Sequence, residues 1–343
     1  MNILVALIIF SVIIIFHELG HFLAAKFNNV CVQEFTLGLG PTLIGFTKGE
    51  TKYCLKLLPF GGSCVMLGEE EASDDERAFN NKNVWQRMMI VLAGPIFNFI
   101  LAFFLSLFLV GFSGADVPVI ANVGEGTPAQ EAGLLEGDRI IKMDGSRVYN
   151  YREIVYKMLL NKGGKPVTFL YERDGEQKEV TITPALVESG AYQVGIAGGA
   201  YEKQGFFGTI KYSILEVRCQ IKVVIWSLQY MVSGYASMND ISGPVGIVNM
   251  IGDTYTEAAE YGILTVLLSM INIAVMISAN LGVMNLLPIP ALDGGRFFFY
   301  IIEVIRGKGI DPDKEGMIHF AGLMVLLALM VLILFNDIRN IFF

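Results

Sequence analysis

Four long apolar stretches restrict what this sequence can fold into. They lie at about residues 3–25, 89–111, 262–287 and 317–335, and each can cross a hydrocarbon layer of roughly 30 Å as a helix of about 20 residues. Lipid offers no partner to a free backbone N–H or C=O, so such stretches must be helical. With 53% hydrophobic and 17% charged residues, the chain is predicted to be a mainly α membrane protein with about four transmembrane helices.

A cleaved signal peptide is an alternative for the first stretch, because "FLAAK" offers small residues near a possible cleavage point. No Lys or Arg precedes Lys26, however, so the basic start that is typical of signal peptides is missing. We therefore favour a retained helix. Four spans place both termini on the same side of the membrane.

The basic residues of the short loops predict the orientation of these helices. The loop after the first span carries Lys26, Lys48, Lys52, Lys56, Arg77, Lys82 and Arg87, and the loop between the third and fourth spans carries Arg296, Arg306, Lys308 and Lys314. Loops rich in Lys and Arg stay on the cytoplasmic side, so the termini and the segment from about 112 to 261 should face outward. A net charge of −8 and the lack of a basic face argue against a nucleic-acid partner.

The chain divides into four predicted regions. Residues 1–112 hold the first two helices with an intervening β-region at about 32–67. Residues 113–200 have the composition of a small soluble α+β domain, residues 201–261 form an amphipathic connecting region, and residues 262–343 hold the last two helices.

Two of these regions allow a more specific expectation. Gly and Pro separate short β-prone segments in the β-region, which predicts a meander of three or four strands with an open edge that can receive an extended peptide. Residues 205–236 are predicted to form an amphipathic helix that lies on the outer leaflet or packs on the spans.

The first apolar stretch carries the sequence HELGH, in which His17 and His21 are four residues apart. On a helix both imidazoles project from one face and can bind one metal ion, and Glu18 can reach a water held there. This is the HExxH arrangement of zinc peptidases. A chance match or a structural role is the alternative, but three ionisable groups at membrane depth cost roughly 2.5–3.5 kcal/mol each. We therefore predict a metal site.

A catalytic zinc site usually has three protein ligands and one open position. Asp293 in "NLLPIPALDGGR" is the best candidate for the third, because Pro288 and Pro290 interrupt the helix there and the first and third spans run in the same direction. The alternative is an ordinary turn residue before Gly294.

The remaining polar residues of the spans give weaker signals. His319 is expected to be an interfacial or packed histidine, and Asn98, Asn272 and Asn280 are expected to form interhelical hydrogen bonds. Asn285 lies eight residues before Asp293 in the interrupted segment, where its amide can hold a substrate backbone.

The motifs HELGH, "AGPIFN", "SGPVGI" and "NLLPIPALDGG" together resemble the site-2 protease family of intramembrane zinc metalloproteases. The arrangement is similar to the bacterial regulator-of-sigma-E-protease branch with one PDZ domain. This resemblance implies one Zn²⁺ per chain, with His17, His21 and Asp293 as ligands and Glu18 as the catalytic carboxylate. It also implies a membrane-reentrant β-region that pairs with an unwound substrate. The implied substrate-binding residues are Gly38, Gly40, Asn285, Pro288 and Pro290.

The segment "TPAQEAGLLEGDRI" resembles a circularly permuted PDZ domain, and "YQVGI" resembles its carboxylate-binding loop. That resemblance implies a peptide groove formed by Tyr192, Val194, Gly195 and Ile196. The family resemblance further implies substrates that are single-span proteins of the lipid bilayer. These are anti-sigma factors already cut by an upstream site-1 protease, or signal-peptide remnants.

The implied location is the bacterial cytoplasmic (inner) membrane, with the termini and the PDZ domain extracytoplasmic and the active site near the cytoplasmic face. The competing hypothesis is a membrane adaptor with a structural metal site and a partner-recruiting PDZ domain. Structural zinc sites are normally closed by four protein ligands, and the sequence offers no fourth candidate. We therefore predict an active intramembrane protease.

Overall fold

The computed structural model describes residues 2–69, 71, 73–188, 190–234 and 242–342. The chain forms two compact units, one from residues 1–102 together with 238–343 and the other from residues 103–237. The helices are α1 (Asn2–Phe27), α2 (Val84–Ser113), α3 (Pro128–Glu131), α4 (Tyr151–Leu159), α5 (Phe206–Val232), α6 (Pro244–Ala259), α7 (Ile263–Asn285), α8 (Asp293–Arg306) and α9 (Pro312–Phe342).

The strands of the first unit are β1 (Val32–Lys48) and β2 (Thr51–Met66). Those of the second unit are β3 (Ala115–Asp116), β4 (Asn122–Val123), β5 (Arg139–Met143), β6 (Ser146–Arg147), β7 (Val167–Arg173), β8 (Glu176–Ile182), β9 (Ala185–Leu186), β10 (Tyr192–Gln193), β11 (Ile196–Ala197) and β12 (Tyr201–Glu202).

Among the described residues, four helices are long and apolar enough to cross a membrane, as predicted. Their spans are Ile3–Phe27, Val84–Ser113, Ile263–Asn285 and Lys314–Arg339. In α9 the large apolar side chains point outward, with Val325 and Phe335 67% and 69% exposed. Lipid, rather than water, is the solvent that such a surface needs.

The β-region consists of two bent strands. Each bend divides its strand into two straight segments, so the sheet has four passes, 32–37, 42–48, 51–56 and 62–66. Residues 34–37 of β1 pair with 62–65 of β2 in an antiparallel register. The same residues also pair with 52–55 in a parallel register. Beyond the bend, residues 44–48 pair with 51–55.

The number of passes agrees with the prediction, but the order does not. The order across the sheet is 42–48, 51–56, 32–37 and 62–66, which is not a meander. Gly38 and Gly40, with φ angles of 88° and 91°, lie where β1 bends away from its first pass. The bend separates the two halves of β1, so 32–37 and 42–48 follow each other in the chain but are not adjacent in the sheet.

One cluster of buried side chains anchors this sheet to the helices of its unit. Val30, Val32, Cys64 and Met66 pack with Ile90 of α2, and the same cluster includes Ala25, Phe79, Val91 and Tyr300. The start of β1 and the end of β2 are therefore fixed against helices, which places the outer pass at 62–66 beside α1.

A buried carboxylate explains the "SGPVGI" segment at the start of α6. Asp337 of α9 accepts the backbone N–H groups of Gly243 and Gly246 at 3.0 and 2.9 Å. A Cβ built on Gly243 would lie 2.5 Å from Ile333. The first N–H groups of a helix lack intrahelical partners, so this carboxylate compensates donors that would otherwise be unpaired in an apolar setting.

The second unit contains the four-stranded antiparallel sheet β6-β5-β7-β8. Its core is apolar and includes Ile120, Leu134, Ile140, Ile154 and Phe169. β7 and β8 form a hairpin around Asp174-Gly175, since they pair from Arg173↔Glu176 onward and both turn residues have positive φ.

The helix expected at 205–236 forms as α5, while residues 235 and 236 lie outside the described residues. It packs on α4 of its own unit. Its Tyr212 also packs on the cluster that includes Val110 of the span α2, as one of the two expected placements predicted. Arg218 and Lys222 of α5 bind the buried Glu153 at 3.0 and 2.8 Å. Buried Glu216 of α5 pairs with Arg152. Two buried carboxylates need cationic partners, and this requirement decides where the basic face of α5 lies.

Candidate metal centre and active site

Three potential ligand atoms meet beside the second half of α1. His17 Nε2 and His21 Nε2 are 3.2 Å apart, and Asp293 Oδ2 lies 3.2 Å from the first and 3.4 Å from the second. Within the described residues this is the one group of three or more His, Cys, Asp or Glu side chains suited to a metal ion. A tetrahedral ion bound at about 2.0–2.1 Å separates its ligand atoms by about 3.3 Å. The spacing and the donor types therefore fit zinc.

The other nitrogen of each imidazole also has a partner, which fixes the ring. His21 Nδ1 lies 2.9 Å from the carbonyl oxygen of Ile90, and His17 Nδ1 lies 3.1 Å from the amide of Asn98. Metal-binding histidines usually donate the distal N–H to such a group, which leaves Nε2 free for the ion. Asn98 is fully buried. The predicted interhelical hydrogen bond of Asn98 therefore forms, and its partner is a candidate metal ligand.

Asn98 has a second feature that fits this arrangement. Its Oδ1 atom has no hydrogen-bond partner among the described residues. A histidine that binds metal through Nε2 carries its proton on Nδ1 and needs an acceptor there. Turning the amide over would give His17 that acceptor and would satisfy Oδ1 at the same time.

Two glycines let α1 and α2 approach closely enough to form the site. A Cβ built on Gly94 would lie 2.3 Å from His21 Nε2, and one on Gly20 would lie 2.3 Å from the carbonyl oxygen of Ala93. Any side chain at Gly94 would occupy the place of the imidazoles. This contact gives the "AGPIFN" segment a physical role that its sequence alone did not reveal.

Asp293 reaches the histidines because the chain turns sharply between α7 and α8. Gly294 and Gly295 pack on this turn, where built Cβ atoms would lie 2.2 Å from the carbonyl oxygen of Leu287 and 2.4 Å from that of Ile289. Both glycines therefore allow a close passage of the chain.

The candidate ligands and Glu18 line a cavity of about 240 Å³. The β-region contributes its outer pass, Gly62 to Met66, and Glu69 and Arg296 complete the polar lining. Arg296 forms an ion pair with Glu69. A Cβ built on Gly62 would lie 3.0 Å from Glu18 Cγ, so the strand backbone lies directly against the candidate catalytic side chain.

The predicted substrate-binding residues lie elsewhere in the first unit. Gly38 and Gly40 are at the bend of β1, Asn285 ends α7, and Pro288 and Pro290 are in the turn before α8. Within the described residues, none of the five belongs to the lining of the catalytic cavity. Their contact with substrate stays a prediction. The sequence did not predict that residues 62–66 line this cavity, although the Gly-Gly pair in "LLPFGGSC" was an available signal.

A second cavity of about 270 Å³ lies in the second unit. Its lining joins α4 to the extended segment that carries the predicted groove residues Tyr192, Val194, Gly195 and Ile196. The structure thus brings these four residues together along one groove. Binding of a peptide there stays a prediction.

The sequence of this chain matches a known family model and is similar to known proteins. Residues 5–329 match the sequence model described as Peptidase family M50. A relative from Clostridium acetobutylicum is 41% identical over 339 residues, covering 98% of this chain and 97% of the relative.

Two named relatives and one solved structure are also similar. Zinc metalloprotease RasP of Geobacillus kaustophilus is 31% identical, covering 98% of this chain and 97% of its own. Regulator of sigma-W protease RasP of Bacillus subtilis is 30% identical, covering 98% of both chains. The PDZ domain of an SdrC-like protein from Listeria innocua aligns with 26% of this chain and 100% of its own, at 26% identity and a TM-score of 0.23.

Proposed function

The chain belongs to peptidase family M50, the site-2 proteases, and is a zinc metalloprotease; from this premise we propose that it cleaves peptide bonds within or beside the transmembrane segment of single-span membrane proteins. One observation carries the proposal. Two imidazole nitrogens and a carboxylate oxygen lie within 3.4 Å of one another, and Glu18 lines the same cavity. The histidines belong to a helix apolar enough to span a membrane.

The proposed division of roles comes from the chemistry of these side chains. His17, His21 and Asp293 would hold the zinc through Nε2, Nε2 and Oδ2. Bound zinc supplies Lewis-acid polarisation of the scissile carbonyl and activation of water. Glu18 takes a proton from the attacking water and delivers it to the amide nitrogen that leaves. No fourth protein ligand lies in the described part of the site, so a zinc bound there would leave room for water or substrate.

Substrate must reach this site in an extended form. A helical peptide bond in lipid is shielded by its own backbone hydrogen bonds, so the substrate helix has to unwind first. The outer pass at 62–66 borders the catalytic cavity and offers strand-type hydrogen bonds to such a segment. We propose that substrate adds to this pass as a further strand. Gly38 and Gly40 then act by bending β1, and Asn285, Pro288 and Pro290 hold the unwound chain near the turn.

The proposed substrates are anti-sigma factors shortened by an upstream site-1 protease, or signal-peptide remnants. The name of the Bacillus subtilis relative, a regulator of sigma-W protease, supports the first class. The groove of the second unit suits the new carboxyl terminus that a first cut creates, with Tyr192, Val194, Gly195 and Ile196 as its binding segment. We propose an inner-membrane location with the PDZ domain outside, supported by the Lys and Arg of the loops.

The test is to measure zinc content and the cleavage of a model single-span substrate in detergent. We expect about one zinc in wild type and in Glu18→Gln, with cleavage by wild type alone, because Glu18 acts on water and not on the ion. Asp293→Asn should lose zinc and activity together. Cleavage by Glu18→Gln would contradict the mechanism, and full zinc content in Asp293→Asn would remove Asp293 from the ligand set. Zinc without cleavage in wild type would favour the adaptor hypothesis.

A further inference from the structure

The turn between α7 and α8 contains a residue in an unfavourable backbone conformation. Ala291 has a φ of 78°, in the left-handed region that residues with a Cβ rarely adopt. A residue keeps such a conformation only when its surroundings fix it. Ala291 is two residues before Asp293, so whatever fixes Ala291 also bears on the candidate ligand.

The contact that fixes it comes from α9. His319 Nδ1 accepts the backbone N–H of Ala291 at 2.9 Å. Since Nδ1 accepts, the ring proton is on Nε2, which faces Glu315 Oε1 at 3.9 Å. The ring of Phe299 from α8 packs against the imidazole edge to face, with 5.3 Å between centroids. The ring of His319 therefore packs on Phe299 with its acceptor directed at the turn, while Nε2 has no hydrogen-bond partner among the described residues.

The same face of α9 is shaped to receive this turn. Gly322 lies one helical turn after His319, and a Cβ built there would lie 2.5 Å from Pro290 Cβ and 2.7 Å from its carbonyl oxygen. The turn is thus pressed between Gly322 on one side and the backbone contacts of Gly294 and Gly295 on the other. Of these contacts, the hydrogen bond to His319 is the polar one supplied by a side chain.

We propose that His319 is a positioning residue for the metal centre. By accepting the N–H of Ala291, it holds the turn in the one conformation that starts α8 with Asp293 beside His17 and His21. This inference rests on the proposed role of Asp293 as a zinc ligand. It assigns to His319 a task beyond the packing that its place at the start of the last span suggests.

The experiment compares His319→Asn with His319→Leu in the full-length protein. Asn and Leu have nearly the same shape, but the Asn side-chain oxygen can replace Nδ1 as an acceptor. We expect His319→Leu to bind zinc at least about tenfold more weakly in a chelator competition, as is typical when an outer partner of a metal site is lost. His319→Asn should stay within about threefold of wild type. Phe320→Leu, at an exposed position on the same helix, is the control for perturbation of α9.

A second variant separates this role from simple packing. Glycine adopts positive φ without strain, so Ala291→Gly reduces the need for a hydrogen bond that fixes the residue. Adding Ala291→Gly to His319→Leu should therefore restore zinc affinity by about fivefold. It also makes the test possible if His319→Leu alone does not fold, because the double variant can then be compared with His319→Asn.

Equal zinc affinity in His319→Leu and His319→Asn would overturn the proposal, whether both match wild type or both are weakened. Asp293→Asn distinguishes the two levels of inference. If that variant loses zinc while His319→Leu does not, only the positioning role fails. If Asp293→Asn keeps its zinc, the proposed ligand set fails and the role of His319 fails with it.

Discussion

The catalytic cavity and the groove of the second unit have the same form but different linings. Their volumes are about 240 and 270 Å³, and each lies between an extended segment and a helix. The catalytic cavity combines the pass at 62–66 with ionisable side chains. The groove combines Tyr192–Ile196 with apolar residues of α4, among them Ile154, Val155 and Met158.

Under the proposed function, this difference separates two tasks that both involve an extended peptide. The backbone of a strand recognises any chain that can extend, and the side chains beside it decide whether that chain is only held or also cut. Apolar side chains hold a peptide without changing it. Imidazoles and carboxylates at ligand distance supply the means to cut it. Substitutions in either cavity can test this separation of peptide binding from peptide cleavage. The largest effect is expected next to Glu18.

Gly62→Val should almost abolish cleavage while leaving zinc in place. The new side chain would enter the space of Glu18 Cγ and Ile14 Cγ2, which lie 3.0 and 3.1 Å from a built Cβ. Displacing a catalytic group by about 1 Å can reduce the rate about 100-fold. The matched control is Gly45→Val, where a built Cβ makes only ordinary contacts at 3.5 Å. A fully active Gly62→Val variant would show that the outer pass does not confine Glu18.

Asn98→Leu should weaken zinc binding by about 10–100-fold, because His17 loses the partner that fixes its ring. Asn98→Asp keeps an acceptor for Nδ1 and should retain most of the affinity. Chelator competition measures both, and Asn272→Leu controls for the loss of an amide from a membrane helix. If Asn98→Leu and Asn98→Asp bound zinc equally well, the contact with His17 would be incidental.

Val155→Glu should affect the groove alone. Val155 lines the groove and is 42% exposed, so the fold should tolerate the change. A carboxylate there would be desolvated by an apolar peptide, and we expect roughly tenfold weaker binding of a peptide with a free apolar carboxyl terminus. Isothermal titration measures this, with zinc content as the internal control. Unchanged peptide affinity would mean that the groove does not bind substrate.

The smallest expected effect is a pH dependence of the free energy of unfolding of the first unit. Glu50, in the turn between β1 and β2, accepts hydrogen bonds from Lys26 at 2.6 Å and Arg77 at 2.5 Å. These cations lower the pKa of Glu50 from 4.5 to about 2. Because the folded-state pKa lies below the unfolded one, the stabilisation is present above about pH 4.5 and is lost as the pH falls towards 2.

The measurement is the Tm of wild type and of Glu50→Gln across that range. Both cations are partly exposed, so Glu50→Gln should lower the free energy of unfolding by no more than about 1 kcal/mol at neutral pH. This difference from wild type should shrink on acidification. A difference that grew at low pH would contradict the assigned ion pairs.

Several parts of the site could be predicted because their signal is local. Helical spacing alone places His17 and His21 on one face, and Glu18 is adjacent in the sequence. Asp293 required one further step, the direction of the spans read from their basic loops. The interruption of the helix at Pro288 and Pro290 likewise comes from the chemistry of proline.

Other parts carried no local signal. The role of Gly94 depends on the imidazoles that pack over it from α1, and the role of Asn98 depends on His17. The helix α5 has an amphipathic sequence that suits a lipid surface equally well, but two of its cations pair with Glu153 of α4. Such contacts join residues far apart in the chain, so no window of sequence contains both partners.

The sequence by itself determined that the chain forms four membrane-length helices, that its histidines can share a metal ion and that an aspartate is available as a third ligand. Those properties depend on hydrophobicity and helical periodicity, which act over a few neighbouring residues. Only the tertiary structure decided which strand borders the catalytic cavity and which side chains fix the ligands in place. Packing decides both, because whether a Cβ fits or clashes depends on atoms that only the folded chain brings together.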